Sequence, residues 1–278
     1  MKKIAAIFDG LKFSNSTLQH AFSLVRKEPA HLSGVFPDDP IYNSFNMNSV
    51  ITAGATTEQI KAMEERDEQK RAAAAQAFVE ACTKEGIAHN VHRTNCVPIQ
   101  EVLHQSTYAD LLVIGTREAF LTKEQEPPTE FIRSLLSETR CPVLLVPEAF
   151  SEIQKIVLLY DGEPSSIHAI KMSYYVLSAL SNLPVEIISV KETGSDSVLE
   201  NDQLMRDFLQ QHFPQATYKV LTGTPGETIL QELRTQSDGT LVVLGAYQRG
   251  AVSRWLRESM ADFLMRELAL PLFIAHNK

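Results

Sequence analysis

Two stretches decide the fold: IAAIFDGLKFSNSTLQHAFSLV, residues 4–25, and KIVLLYDGEPSSIHAIKMSYYVL, residues 155–177. Each runs from an apolar strand segment into Asp-Gly, then a short polar stretch with serines, then apolar residues at helical spacing. In the first, Leu18, Ala21, Phe22 and Val25 follow Ser14 and Ser16; in the second, Ile167, Ile170, Tyr174 and Leu177 follow Ser165 and Ser166. Three- and four-residue spacing marks one face of a helix, and the serines are predicted to cap its start.

Working outward, the same repeat returns twice more. NCVPIQEVLHQSTYADLLVIGTRE, from Asn95, parallels TGTPGETILQELRTQSDGTLVVLGAYQ, from Thr222, and CPVLLVP parallels LPLFIAH. The offset is 152 at Asp9/Asp161 but 127 at Pro98/Pro225, so the first copy carries about 25 extra residues between its second and third strands. Each copy reads β-α-β-α-β-α-β-α-β, with strands near 4–8, 31–36, 88–93, 111–114 and 143–146, then 156–160, 185–190, 217–221, 241–244 and 272–275. Runs such as LLVI, VLLV and LVVL are apolar at every position, as strands covered by helices on both faces must be, and right-handed crossovers then dictate a doubly wound parallel sheet. Two domains are expected, 1–150 and 151–278. The extra segment divides into a polar loop, 37–55, and a long Ala, Glu and Lys-rich helix near 57–85, capped by Thr56 with Gln59 and ended at Gly86. That helix is expected to be a solvated cover over the sheet; a lid over a pocket is an alternative reading of the loop, for which no residue in it argues specifically.

Composition narrows the function. With 44% hydrophobic and 22% charged residues the chain has material for a sizeable core. No apolar run approaches the roughly 18 residues of a membrane span, so no span and no signal peptide are expected. The three cysteines, Cys82, Cys96 and Cys141, suit reduced thiols and a cytoplasmic location. Up to residue 150 there are 15 basic and 19 acidic residues, and afterwards 11 and 15, so neither half has the positive excess that nucleic acid requires.

These residues together resemble the universal stress protein family in a tandem arrangement: Asp9 and Asp161 ending the first strand of each copy, Pro98 and Pro225 opening the third helix, the LVIGT and VVLGA segments, and the Cys-Pro-Val and Leu-Pro-Leu leads into the last strand. The resemblance implies an α/β fold of two doubly wound parallel five-stranded sheets, order 3-2-1-4-5, adenine nucleotide alpha hydrolase-like and paired through their last strands as a pseudo-dimer. It also implies ATP at the carboxyl ends of strands 1 and 4, where Asp and a strand 2 backbone group hold adenine. A turn of spacing Gly-x2-Gly-x9-Gly-Ser/Thr would wrap the phosphates, glycine letting backbone N–H groups close on the oxygens.

Carried over, the second half offers Asp161, Val190, Gly245 and Ser259, with Gln248 and Glu258 in the places of two glycines. The first half keeps Asp9, Val35 and Gly115, with Glu118 for the second glycine and Thr129 and Glu130 for the Gly-Ser pair. Both loops are expected to be degenerate. A carboxylate within about 4 to 6 Å of a phosphate charge costs a few kcal/mol at an effective dielectric near 20. The first half, with two misplaced carboxylates, is therefore expected not to hold ATP. In the second, Arg249, Arg254 and Arg257 would offset part of the repulsion, leaving ATP or AMP a place there, and Trp255 beside them would stack on a base or pack. Asp9 and Asp161 would bind a ligand or cap the following turn.

Other chemistry finds little support. His89, His92, Cys96 and His104 are metal-ligand types, but positions 89 and 92 of a strand point to opposite faces, and no metal site is expected. No Gly-x-Ser-x-Gly elbow, Walker loop or Gly-x-Gly-x-x-Gly occurs. The expectation is a non-enzymatic stress-response protein acting through protein contacts or a small ligand, as a monomer or a homodimer. The alternatives are an adenine-nucleotide sensor or slow ATPase using the C-terminal half, and a carrier of another anionic or lipidic ligand.

Overall fold

The computed structural model describes residues 2–39, 41–191, 202–245 and 259–276. The first five strands are β1 (Lys3–Ile7), β2 (His31–Asp38), β3 (His89–Asn95), β4 (Leu111–Gly115) and β5 (Val143–Val146). The second five are β6 (Lys155–Leu159), β7 (Val185–Lys191), β8 (Thr217–Thr222), β9 (Thr240–Gly245) and β10 (Leu272–Ala275). All ten join one sheet, ordered β3-β2-β1-β4-β5-β10-β9-β6-β7-β8. Every neighbouring pair is parallel except β5 and β10, which run antiparallel with Leu144 opposite Phe273. The expected order 3-2-1-4-5 thus occurs twice, and pairing of the last strands makes the two sheets one.

Nine helices among the described residues cover it: α1 (Asn15–Lys27), α2 (Met47–Thr52), α3 (Thr57–Lys84), α4 (Pro98–Ser106), α5 (Glu130–Glu138), α6 (Pro164–Val176), α7 (Asp202–His212), α8 (Pro225–Leu233) and α9 (Met260–Glu267). Alternation along each strand sorts side chains between two apolar layers. Ile4, Ala6 and Phe8 pack with residues of α1, α3, α6 and α7, whereas Ala5 and Ile7 face the layer built by α4, α5, α8 and α9. This is why the runs are apolar throughout.

The long helix does more than shield the sheet. Thr56 and Gln59 form the predicted capping box, and Gly86 takes a φ of 67° just beyond the C-terminus. Phe78 and Cys82 of α3 are fully buried, and Phe78 lies so close over Gly34 of β2 that a Cβ there would sit 2.7 Å from its ring. Capping also differs from expectation at two places. Ser14 caps α1 by accepting from Thr17 N–H, while Ser16 Oγ instead donates to the Pro147 carbonyl at 2.6 Å. At α6 the cap is Glu163, because Pro164 takes the first helical position and draws Ser165 and Ser166 inside the first turn.

Candidate functional site

Helix α1 leaves β1 on one face and α4 reaches β4 from the other, so a crevice forms at the carboxyl ends of these adjacent strands. In the first half Tyr42 and Glu118 occupy part of it, leaving cavities of about 340 Å³ beside Gly115 and about 140 Å³ beside Asp9. Asp9, 2% exposed, accepts the Leu11 N–H on Oδ1 at 2.8 Å, closing a local turn, and the Tyr42 hydroxyl on Oδ2 at 2.7 Å. Tyr42 is buried in the same apolar layer as Val35, Ile7, Ile114 and Phe120. Burial first, and then the Asp9 charge, raise the pKa of its hydroxyl, which therefore stays a donor.

The loop carrying Tyr42 is tied down on both sides. Arg71 of α3 donates to the Tyr42 carbonyl, holds its guanidinium 6.0 Å from the ring centroid, and lies 3.5 Å from Asp38. Ser44 donates its N–H and hydroxyl to Asp67 at 2.7 and 2.6 Å, and Thr122 donates to the Asn43 carbonyl at 2.8 Å. The loop for which a lid was the alternative reading is therefore clamped over residues 41–55, with α2 inside it.

Glu118 closes the other side. Its N–H turns back to the Gly115 carbonyl at 3.2 Å, and its Oε1 stands 3.4 Å from the point where a Gly115 Cβ would be. Burial, then Asp9, raise the carboxyl pKa well above its ordinary value of 4.5, while Lys12 opposes them. A buried acid, its carboxyl pushed toward the protonated form, thus stands in the turn where the resemblance implies glycine. Phe120, at a φ of 53°, packs its ring 4.7 Å from that of Phe131 beneath.

The structure corrects the carry-over at Thr129 and Glu130. Thr129 is the N-cap of α5, accepting from Ile132 N–H, just as Ser259 caps α9 by accepting from Asp262 N–H. Thr129 therefore occupies the Ser/Thr place, Pro128 the last glycine place, and Glu130 is an exposed first-turn residue. Of Glu118 and Glu130, only Glu118 is buried. The common signal was a Ser or Thr one residue ahead of each amphipathic helix.

In the second half Asp161 is exposed, and its Oδ1 accepts the Glu163 N–H at 3.0 Å. Strand register makes Ile188, not Val190, the counterpart of Val35. Phe8 N–H donates to Val35 O at 3.0 Å, Tyr160 N–H donates to Ile188 O at 2.9 Å, and Val190 lies two residues further along β7. Gly245 ends β9 where a Cβ would meet the Ser165 carbonyl oxygen at 2.5 Å, so close helix packing alone demands glycine there. Gln248, Arg249, Arg254, Trp255, Arg257 and Glu258 lie outside the described residues.

The histidines and cysteine considered for metal have separate surroundings. His89 Nδ1 is 2.8 Å from the Ile87 carbonyl, His92 Nε2 pairs with Asn90, Cys96 Sγ donates to the Thr94 carbonyl, and His104 packs its ring against Tyr108. Among the described residues no three His, Cys, Asp or Glu side chains converge as ligands would, and no helix is long and apolar enough to cross a membrane.

No protein-family profile and no curated protein matches the chain. Solved structures do. A universal stress protein from Archaeoglobus fulgidus DSM 4304 is similar at 17% identity and a TM-score of 0.67, over 99% of this chain and 98% of that one. A putative universal stress protein from Pseudomonas aeruginosa UCBPP-PA14 is similar at 13% identity and a TM-score of 0.63, over 99% of this chain and 92% of that one. A functionally unknown protein from Pseudomonas aeruginosa PAO1 gives 12% and 0.62 over the same shares. At such identities the likeness is one of fold: the chain has the tandem universal stress protein fold along its whole length.

Proposed function

We propose that the chain is a non-enzymatic, cytoplasmic stress-response protein of the universal stress type, built from halves 1–150 and 151–278. In it the first half has ceased to bind nucleotide, and the second holds an adenine nucleotide weakly. The observation that carries this reading is the 2.7 Å bond from the Tyr42 hydroxyl to Asp9. It places a protein ring and hydroxyl against the carboxylate that the family resemblance assigns to adenine, with Glu118 beside it in place of a glycine. Asp161, by contrast, is exposed and has no equivalent cover among the described residues.

Isothermal titration with ATP and AMP, together with native mass spectrometry of protein purified without added nucleotide, tests the proposal. The expected result is no nucleotide retained on purification and at most one weak site per chain, lost in Asp161→Ala. Two sites per chain, or stoichiometric retained ATP, would refute it.

A further inference from the structure

Residues 147–153 carry the chain from the end of β5 toward β6, and four residues of α1 hold this strap against the helix. Ser16 Oγ donates to the Pro147 carbonyl at 2.6 Å, and the His20 ring meets the Phe150 ring edge-on, 4.8 Å between centroids. Ser23 Oγ donates to Glu152 Oε1 at 2.9 Å, and Lys27 Nζ lies 2.7 Å from the same oxygen. Positions 16, 20, 23 and 27 recur at three- and four-residue spacing, so a single stripe of the helix seats the whole strap. Ile153, 2% exposed, then packs in the apolar layer that holds Leu24.

One member of the stripe titrates near neutral pH. His20 is 1% exposed, and its Nδ1 lies 2.9 Å from the Ser16 carbonyl oxygen, which can only accept, so Nδ1 carries the proton of the neutral ring. Nε2 is left bare: it is buried and has no hydrogen-bond partner among the described residues. A second proton there would put a cationic N–H inside this packing with nothing to accept it. Phe150, whose ring abuts that of His20, is itself 39% exposed, so its withdrawal opens a way to water.

The surrounding charges offset little of this. On α1, Arg26 pairs with Glu85, Lys27 with Glu152, and Glu28 with Ser178 of the turn that packs on the helix. On the strap, Glu148 lies near Arg117. The strands beneath α1 offer apolar side chains such as Leu111, Val113, Leu144 and Val146, and their charged residues Lys3, His31 and Asp38 stand at strand ends. Glu152 is the one carboxylate that acts on the ring. Burial outweighs both it and the Ser16 carbonyl, and lowers the His20 pKa from its ordinary 6.5. The seated strap is therefore fully favoured above 6.5 and loses stability as pH falls below 6.5 toward the lower folded value.

We propose that His20 is a pH-sensitive switch on the strap between the halves: neutral, it seats Phe150; protonated, it displaces Phe150 so that Nε2–H reaches water, releasing residues 147–153 from α1 while both halves stay folded. The switch uses neither Asp9 nor Asp161 and is independent of the nucleotide reading.

The test labels the histidine and phenylalanine rings of the full chain with carbon-13 and follows their resonances from about pH 7.5 to about pH 5. His20 and Phe150 are expected to titrate together, with one midpoint below 6.5, while the far-ultraviolet circular dichroism stays constant. In His20→Gln, which keeps a donor for the Ser16 carbonyl but no titrating proton, the Phe150 signals should stay still. In Phe150→Ala, a partly exposed position, the His20 midpoint should move up toward 6.5. A His20 midpoint at or above 6.5, Phe150 signals that do not move with it, or a Phe150 titration that persists in His20→Gln overturns the proposal. Loss of circular dichroism over the same range also overturns it, since the event would then be global unfolding.

Discussion

Tyr42→Phe isolates the closure of the first crevice. The substitution keeps the ring in its apolar layer and removes one hydroxyl, so no sizeable cavity opens. What is lost is a 2.7 Å bond from a buried phenol to a carboxylate that is 2% exposed. Hydrogen bonds to charged groups contribute about 1.5–3 kcal/mol, and among the described residues the Asp9 carboxylate would retain only the Leu11 N–H, so a loss of about 2 kcal/mol is expected. Urea unfolding followed by circular dichroism measures it, with Asp9→Asn and the double variant completing a cycle. In the Asp9→Asn background the same hydroxyl faces a neutral acceptor, and its removal should cost about 1 kcal/mol. A change below about 0.5 kcal/mol for Tyr42→Phe in the wild-type background would refute the view that this hydroxyl latches the lid.

Glu118 sets a pH dependence. Its folded pKa is raised, so the folded state binds more protons than the unfolded one, and its stabilising contribution is complete below 4.5 and declines as pH rises through the higher folded value. Glu118→Gln should flatten that decline in urea midpoints collected across the range, and an unaltered slope would argue against it. Gly245→Ala should destabilise by roughly 1–3 kcal/mol through its clash with the Ser165 carbonyl, whereas Gly115→Ala, whose Cβ would meet Glu118 at an ordinary 3.4 Å, should cost less; thermal melts of the pair decide. Cys82, fully buried with its thiol pushed up to about 12, should react with a thiol reagent only after unfolding, while partly exposed Cys141 reacts in the native protein.

The strands were legible because burial on both faces writes itself as unbroken apolar runs such as LLVI and LVVL, and the helix of residues 57–84 because its capping box is local. Strand order came from the resemblance, since periodicity says nothing about which strands are neighbours. The lid could not be read, because Tyr42 meets Asp9 across 33 residues and belongs to a polar loop without periodicity. Thr129 was misassigned by one residue: the glycine spacing counted from Gly115 reaches 118, 128 and 129, in agreement with the cap position ahead of the helix. Val190 was misplaced for a different reason: ladder register is a property of two strands together, and one strand's sequence does not contain it.

The antiparallel seam between β5 and β10 sends the carboxyl ends of the two strand sets to opposite rims of the same sheet. A molecule lodged at one rim cannot touch one at the other, and what joins the halves is the Leu144 and Phe273 seam together with pairs such as Arg133 with Asp262 and Ser178 with Glu28. Joining both copies in one chain also frees each rim to change alone. An identical pair of subunits would repeat every substitution on both sides, but here Tyr42 covers Asp9 at one rim while Asp161 at the other is exposed.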